Sequence, residues 1–319
     1  METHFILDTN AYRQLADGKY YCEIIPTATE FRKRENKLNA KTLLNIVVSM
    51  ELIKHLETGD PFLENCYKAL AFQFFHTQTK EYGEANNEIS FLPPLNTLLT
   101  RHYFDENSQY FKYYVEIIRL TMDVTNDMEI DDIKKEKKNI QLIAEQLKFE
   151  RSEIQGNLAK YIQEINGGIV DWELFKNNKL LKKSLLDDIK KGKTKNALTL
   201  SLCQRAYSLL DKHDTEKIKT DSILDFEKYY DPLLNLNQTL IEKLIHGVVA
   251  LSDPLSEKWN TLNDVQILGS ACYNSLREKD NDSRTIIVTD DKAIRTACQN
   301  TYLQDNIWKL REYIAFVYQ

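Results

Sequence analysis

Short apolar runs that end in polar residues lie near both ends of this chain, and helical patterns follow them. The runs are His4–Asp8, Ile46–Ser49, Glu88–Leu92 and Thr285–Val288. Their length and their β-branched residues are typical of buried parallel strands. The helical patterns that follow are Ala11–Ala16, Glu51–Glu57 and Ala293–Asn300. Because strands that alternate with helices form layered parallel sheets, we predict an α/β fold for the two ends.

The middle of the chain has a helical pattern throughout. No proline lies between Pro94 and Pro232, and apolar residues recur every seven positions within Ile133–Ile165. This spacing indicates one long amphipathic helix, ended by Gly167 and Gly168. Further helices are predicted at Trp172–Lys191, Ala197–Lys212, Ser222–Tyr230 and Leu233–Leu251. We therefore predict one discontinuous α/β domain from residues 1–100 and 247–319, with residues 101–246 inserted as an all-helical subdomain.

Composition narrows the class of protein. The 319 residues are 42% apolar, which is enough for a sizeable core. No run of about 18 apolar residues is present, so no membrane span is expected, and the N-terminus lacks a signal-peptide pattern. The five cysteines are scattered without zinc-ligand spacing. We therefore expect reduced thiols and a cytoplasmic protein.

Positive charge is concentrated in one segment of an otherwise acidic chain. The net charge is −6, yet residues 175–195 contain eight lysines and two aspartates and carry +6, which leaves −12 for the rest. Such a run is either a solvated helix face or a landing site for phosphates. The candidate substrate-binding lysines are Lys182, Lys183, Lys190, Lys191, Lys193 and Lys195.

Acidic residues stand where the predicted strands end or helices begin. They are Asp8, Glu51, Asp264, Asp290 and Asp291. Ligands of parallel α/β sheets bind at the carboxyl ends of the strands, so we expect these carboxylates to converge. Two like charges about 4 Å apart repel by roughly 4 kcal/mol at an effective dielectric of 20. A hard divalent cation such as Mg²⁺ or Mn²⁺, which prefers oxygen ligands, would offset that repulsion.

Four segments that carry these acids resemble the motifs of PIN-domain nucleases, in the order of that family. They are FILDTN in Phe5–Leu15, IVVSMEL in Ile46–Leu52, NDVQILGSA in Asn263–Ala271 and IIVTDDKAI in Ile286–Ile294. The Ile89–Leu99 segment also resembles the family's third strand and its exit. The resemblance covers about the first hundred and the last seventy-five residues. It implies a three-layer domain with a mostly parallel sheet, and the helical middle departs from the family pattern.

The resemblance also implies roles for individual residues. Asp8, Glu51, Asp264 and Asp291 match the acids that bind the metal and act in catalysis, with Asp290 as an alternative to Asp291. Glu57 is a lesser alternative to Glu51. Asn10 and Thr289 match polar residues that orient the acids or a phosphate.

The function implied by the resemblance is hydrolysis of phosphodiester bonds with Mg²⁺ or Mn²⁺ as cofactor. An endoribonuclease, as a toxin or an antiviral-defence effector, is favoured over a structure-specific DNA nuclease by the resemblance alone. A catalytically inactive PIN-like scaffold or nucleic-acid-binding module is the third alternative. RNA is therefore the favoured partner over DNA, and a regulatory protein or antitoxin and a homo-oligomer stay open.

Overall fold

The computed structural model describes residues 1–78, 91–126, 130–210, 220–248, 252, 257–278 and 282–319. Helices dominate these ranges. The strands are β1 (Glu2–Leu7), β2 (Ala40–Thr42), β3 (Leu44–Asn45), β4 (Phe91–Leu92), β5 (Ser283–Val288) and β6 (Ile307–Trp308). The helices are α1 (Thr9–Ala16), α2 (Tyr21–Lys37), α3 (Ile46–Ile53), α4 (Leu63–His76), α5 (Leu95–Phe104), α6 (Phe111–Thr125), α7 (Ile130–Lys135), α8 (Lys137–Ile165), α9 (Leu174–Asn177), α10 (Lys179–Lys190), α11 (Lys193–Ser208), α12 (Thr220–Tyr229), α13 (Asp231–Ile245), α14 (Thr261–Glu278), α15 (Lys292–Ala297) and α16 (Leu310–Val317). Two 3₁₀ turns cover Glu257–Asn260 and Gln304–Asn306.

The predicted parallel sheet is present. Its strand order is β2-β1-β5-β6, and every neighbouring pair is parallel. β1 and β5 pair along their whole length, from Glu2 opposite Ser283 to Leu7 opposite Val288. The last four residues of both strands are buried, because helices cover both faces of the sheet. A second, two-stranded parallel sheet pairs β3 with β4.

The prediction of a strand at Ile46–Ser49 is wrong, because these residues form the first half of α3. The strand β3 ends one residue earlier, at Asn45, whose side chain accepts a hydrogen bond from the Val47 amide at 3.0 Å and caps the helix. A buried apolar run of four residues fits a strand or a helix equally well, so its pattern could not distinguish them. Glu51 therefore lies in the second turn of α3, not in its first.

The predicted helix Ile133–Ile165 is two helices, α7 and α8, divided at Glu136. Asn139 donates to the Glu136 carboxylate at 2.6 Å across that break. The seven-residue seam also fails toward the end of α8, where Tyr161 is 41% exposed and Ile162 is fully buried. A straight α-helix drifts by about 20° per heptad, so the buried face moves to the next residue. The predicted helix Trp172–Lys191 is likewise divided, into α9 and α10, at Asn178, which caps α10.

Three predicted elements run partly outside the described residues: Glu88–Leu92, Ala197–Lys212 and Leu233–Leu251. The predicted helix Glu51–Glu57 overlaps only the end of α3, which stops at Ile53. The remaining predicted elements correspond to β1, β5, α1, α12 and α15, with bounds that differ by a few residues. Among the helices of the described ranges, none is long and apolar enough to cross a membrane.

The helices of the middle share one apolar core with the sheet. A continuous cluster of buried side chains extends from Phe5 on β1 through Tyr114 on α6 and Leu147 on α8 to Leu268 on α14. Helix α5 crosses the predicted domain boundary between residues 100 and 101. A smaller cluster around Trp259 joins α8, α9 and α13. The division into an inserted subdomain and a discontinuous domain stays a prediction.

Gly269 sets how closely α14 approaches its neighbours. A Cβ atom at this position would lie 2.9 Å from Leu233 Cδ1 on α13 and 2.9 Å from Leu95 Cδ1 on α5. Both leucines are buried, so neither can move into solvent. The close approach matters for function because α14 also carries Asp264 in its first turn.

We expect Gly269→Ala to lower the free energy of unfolding by about 1 kcal/mol, because overpacking exceeds the gain in helix propensity. Gly156→Ala is the matched control, since nothing lies within 4 Å of a Cβ at that helical position. That control should stabilise the protein by about 0.5–1 kcal/mol. Urea unfolding of both variants measures the difference, and two changes of the same sign would contradict the packing of α14.

Candidate active site

The site is built around the ends of the two central strands. Because Leu7 pairs with Val288, the next residues of both strands, Asp8 and Thr289, emerge side by side. The Thr289 hydroxyl donates to Asp8 Oδ2 at 2.5 Å. Asp8 Oδ1 accepts from the Ala11 amide at 2.6 Å and so caps α1. Both oxygens of this buried carboxylate are therefore fixed in place.

Asp291 is held by the same threonine. Its backbone amide donates to Thr289 Oγ1 at 2.9 Å. Its Oδ1 accepts from the amides of Ala293 at 2.6 Å and Ile294 at 3.0 Å, and so caps α15. Asp290 is exposed and has no hydrogen bond to any residue that the structure describes. Thr289 thus links Asp8 to Asp291.

Glu51 joins three helices at this edge of the sheet. Its Oε2 accepts from the hydroxyl of Thr9, the first residue of α1. Its Oε1 accepts from the side chain of Asn263 on α14 at 2.7 Å. Asn263 is buried, and the next residue is Asp264. The hydrogen bonds of Glu51 therefore bring the start of α14 to the strand ends.

Asp264 is the most perturbed carboxyl of the group. Its pKa is raised to about 8, chiefly by burial and further by the nearby carboxylates of Glu51, Asp291 and Asp8. Burial also raises the pKa of Asp8 to about 6, with Glu51 and Asp291 adding to the effect and the Thr289 and Ala11 hydrogen bonds opposing it. We name Asp8, Glu51, Asp264 and Asp291 the acid cluster.

The acid cluster fits a divalent cation by charge and by donor chemistry, but its side chains are not arranged as a coordination shell. Within the described ranges, no group of three or more Asp, Glu, His or Cys is placed to hold a metal ion. The oxygens of Asp8 and Glu51, and Oδ1 of Asp291, accept hydrogen bonds from amides and side chains. All candidate ligands are carboxylate oxygens, the type that Mg²⁺ and Mn²⁺ prefer.

Two other residues that were predicted to belong to the site, Asn10 and Glu57, form no hydrogen bond with the acid cluster in the described part of the chain. Asn10 is exposed on α1, and the residue that orients an acid there is its neighbour Thr9. Glu57 is exposed in the turn after α3, beyond the end of the helix that carries Glu51.

The predicted substrate-binding lysines lie on α10, α11 and the turn between them. Lys193 pairs with Asp188 at 2.7 Å, and Lys195 pairs with Asp231 at 2.6 Å. Lys183, Lys190 and Lys191 are exposed, and Lys182 is half-buried. Asp231 begins α13, and Lys243 lies in the last turn of the same helix. The positive charge of Lys243 partly opposes the rise in the pKa of Asp264. At 1.5 Å per residue, Asp231 and Lys243 lie roughly 18 Å apart along the helix.

The structure adds residues that the sequence analysis did not single out. Thr9 and Asn263 orient Glu51. The only sequence signal that could have identified them as site residues is that they are adjacent to Asp8 and Asp264. Arg151 on α8 is buried close to Glu51, and no local pattern distinguishes it from other helical arginines. Lys243 on α13 is a cation near Asp264.

A cavity lies away from the acid cluster, at the opposite end of the central strands. It encloses about 760 Å³, and Met1, Ser283 and Arg284 line it at the amino ends of β1 and β5. Ligands of parallel sheets bind at the opposite, carboxyl ends of the strands, where the acids converge. We therefore take the acid cluster as the candidate functional site.

Comparison of the chain with protein-family models, with curated proteins and with solved structures finds no match. The arguments for function therefore rest on the geometry of the site and on the motifs in the sequence.

The metal-free protein should become more stable as the pH falls from about 8 toward 4. Folding raises the pKa of Asp8 and of Asp264 above the unfolded value of 3.8, so the folded state binds more protons in this window. Stability then falls as the pH rises, by up to about 1.4 kcal/mol per pH unit for each group.

Melting temperatures across this window, measured with chelator, test the effect. Asp264→Asn should remove most of the slope between about pH 6 and pH 8. It should also melt above the wild type at the upper pH. Asp290→Asn is the matched control, because Asp290 is exposed, and it should keep the wild-type slope. Equal slopes in all three proteins would contradict the burial of Asp264.

Proposed function

We propose that the protein is a metal-dependent nuclease with a PIN-like domain, most simply an endoribonuclease that hydrolyses RNA phosphodiester bonds. One observation carries the proposal. Hydrogen bonds of Thr289, Thr9 and Asn263 join the elements that carry four carboxylates, α3, α14 and the ends of β1 and β5, at one edge of a parallel sheet. The charges of Glu51 and Asp291 contribute to raising the pKa of Asp8 and of Asp264. Their sequence motifs follow the order of the PIN family, which supports the same assignment.

The electrostatics of the acid cluster favour a cationic ligand. Buried like charges are unfavourable for folding unless a cation or protons neutralise them. Lys243 lies near Asp264 and Arg151 lies near Glu51, so positive side chains offset part of the negative charge of these acids. Asp8, Glu51, Asp264 and Asp291 are the residues that would hold Mg²⁺ or Mn²⁺. Such an ion would supply positive charge to the scissile phosphate and activate water for its hydrolysis.

The residues around the acids supply orientation. Thr289 holds Asp8 and Asp291 in fixed relation, because its Oγ1 donates to one and accepts from the amide of the other. Thr9 and Asn263 hold the two oxygens of Glu51. Partners of this kind restrict the rotation of the carboxylates and so maintain their spacing.

The preference for RNA follows the family resemblance, as does a role as a toxin or antiviral-defence effector, with an antitoxin or other regulatory protein as partner. A structure-specific DNA nuclease and a catalytically inactive nucleic-acid-binding module are the alternatives. All five cysteines are free thiols, which fits a reducing, cytoplasmic location. Incubating the purified protein with labelled RNA and DNA, in Mg²⁺, in Mn²⁺ and in chelator, separates these three functions.

Asp8→Asn should lower the cleavage rate by roughly a hundredfold or more, since it removes a proposed metal ligand. It should also weaken the rise in melting temperature that Mn²⁺ produces in the wild type by binding the folded state. The amide oxygen of asparagine can still cap α1. Asp17→Asn, an exposed position at the other end of α1, is the control for the substitution itself. Wild-type turnover by folded Asp8→Asn protein would exclude this site.

Charge reversal at Lys190, Lys191 and Lys193 should weaken binding to every nucleic-acid sequence. It should flatten the dependence of log affinity on log salt by about one unit for each phosphate that the lysines no longer neutralise. The pattern of cleavage at saturating enzyme should stay the same, because phosphate contacts do not read bases. Reversal at Lys137, Lys138 and Lys148 on α8 changes the net charge equally and is the control. Identical salt slopes for the two triple variants would show that the lysines of 175–195 only solubilise their helices.

A further inference from the structure

A cavity lined by both apolar and polar side chains adjoins the acid cluster on the side of the middle helices. It encloses about 260 Å³ between α5, α8, α11, α13 and α14. Asn263 lines it, and the same side chain donates to Glu51 Oε1 at 2.7 Å. The cavity therefore shares a wall with the acids. A ligand inside it lies one side chain away from the carboxylates.

Arg151 contributes an incompletely satisfied cation to this cavity. The residue is only 9% exposed, and one terminal nitrogen donates to Asn260 Oδ1 at 2.6 Å. Its buried Nε has no hydrogen-bond partner within the described part of the chain. A guanidinium has five N–H donors, and leaving buried donors unpaired is costly. Its location beside Glu51 places these donors next to the acid cluster.

Five carboxamides line the cavity together with two carboxylates, Glu150 and Glu153. Glu150 accepts a hydrogen bond from Gln266 at 3.4 Å and lies near Arg151. The amide side chains are Asn96, Asn157, Asn237, Asn263 and Gln266. Arg205 pairs with Glu153 at 3.6 Å, so the lining includes a compensated ion pair. Each carboxamide offers both a donor and an acceptor, as the edge of a nucleobase does. Such a lining suits a neutral, hydrogen-bonding group and not a second phosphate.

We propose that this cavity binds one unpaired nucleotide of a nucleic-acid strand, with Arg151 contacting its phosphate and the carboxamides contacting its base. The inference rests on the proposed function, because the acid cluster would act on the phosphodiester bond beside this nucleotide. Proteins read unpaired bases through hydrogen bonds to edges that a duplex hides. A base must leave a duplex to enter a pocket between helices.

The size of the cavity supports a single base. Sites for drug-sized ligands enclose about 300–1,000 Å³, and this cavity lies just below that range. Arginine also suits the phosphate better than lysine would, because its planar fork donates two parallel hydrogen bonds. The protein would therefore select single-stranded or unpaired positions in its substrate.

Fluorescence anisotropy with a labelled oligoribonucleotide of mixed sequence tests the proposal. The probe is used as a single strand, annealed to its complement, and as the DNA strand of the same sequence, all in chelator so that no cleavage occurs. Wild-type protein should bind the single strands at least about tenfold more tightly than the duplex. The comparison of RNA with DNA then shows whether the 2′-hydroxyl contributes.

Substitutions assign the effect to the cavity. Arg151→Lys should weaken single-strand binding by about tenfold, since it keeps the charge and loses the fork. Arg32→Lys is the matched control, because Arg32 is a buried arginine on α2 that bonds Phe75 O and Gln78 Oε1. Asn157→Ala, at an exposed position on α8 and safe for folding, should change the preference among the four nucleoside monophosphates.

The outcomes separate this inference from the proposed function. Equal affinity for single strand and duplex would overturn the nucleotide site even if the wild type cleaves RNA. Wild-type affinity in Arg151→Lys together with an unchanged nucleoside monophosphate preference in Asn157→Ala would overturn it as well. Selective single-strand binding that depends on Arg151, in a protein that cleaves nothing with Mg²⁺ or Mn²⁺, would support the nucleotide site and exclude the nuclease.

Discussion

The parallel pairing of β1 with β5 is the constraint on which the rest of the site depends. It joins residues that lie some 280 positions apart in the chain and sets Asp8 beside Thr289. The loop that closes this pairing contains all the middle helices, so forming it costs conformational entropy. Buried apolar side chains on both strands, such as Phe5 and Ile286, offset that cost. The catalytic geometry that we propose is thus a consequence of core packing.

The acid cluster opposes that stabilisation. Burial and mutual repulsion raise the pKa of Asp8 and of Asp264, so the folded protein holds acids that water would solvate better. Helix capping by Asp8 and Asp291, and the donors Thr9, Thr289 and Asn263, recover part of this cost. What remains is a site whose charge favours a cation. Stability and the function that we propose therefore compete at the same residues.

The middle helices contribute side chains to the candidate site as well as packing against the sheet. Helix α8 brings Arg151 to Glu51, and α13 brings Lys243 to Asp264. Residues of α5, α8, α11, α13 and α14 line the cavity beside Asn263. These helices share one apolar core with β1 and β5. The helical segment thus provides positive charge near the acids and part of the lining of the adjacent cavity.

The sequence by itself determined the parallel strands at the two ends, the helical middle, and the carboxylates to be expected at strand ends. The strands and helices follow from the periodicity of apolar residues along short segments. Asp8 and Asp291 could be placed near strand ends because the residues just before them form the apolar runs of those strands. The tertiary structure decided that Ile46–Ser49 is helical, since Asn45 caps it and a buried apolar run suits either conformation. It also decided that Thr9, not Asn10, orients Glu51, and that Arg151 and Lys243 are the cations near the acids. Such interactions join residues far apart in the chain, and their partners are chosen by helix packing, which no local pattern records.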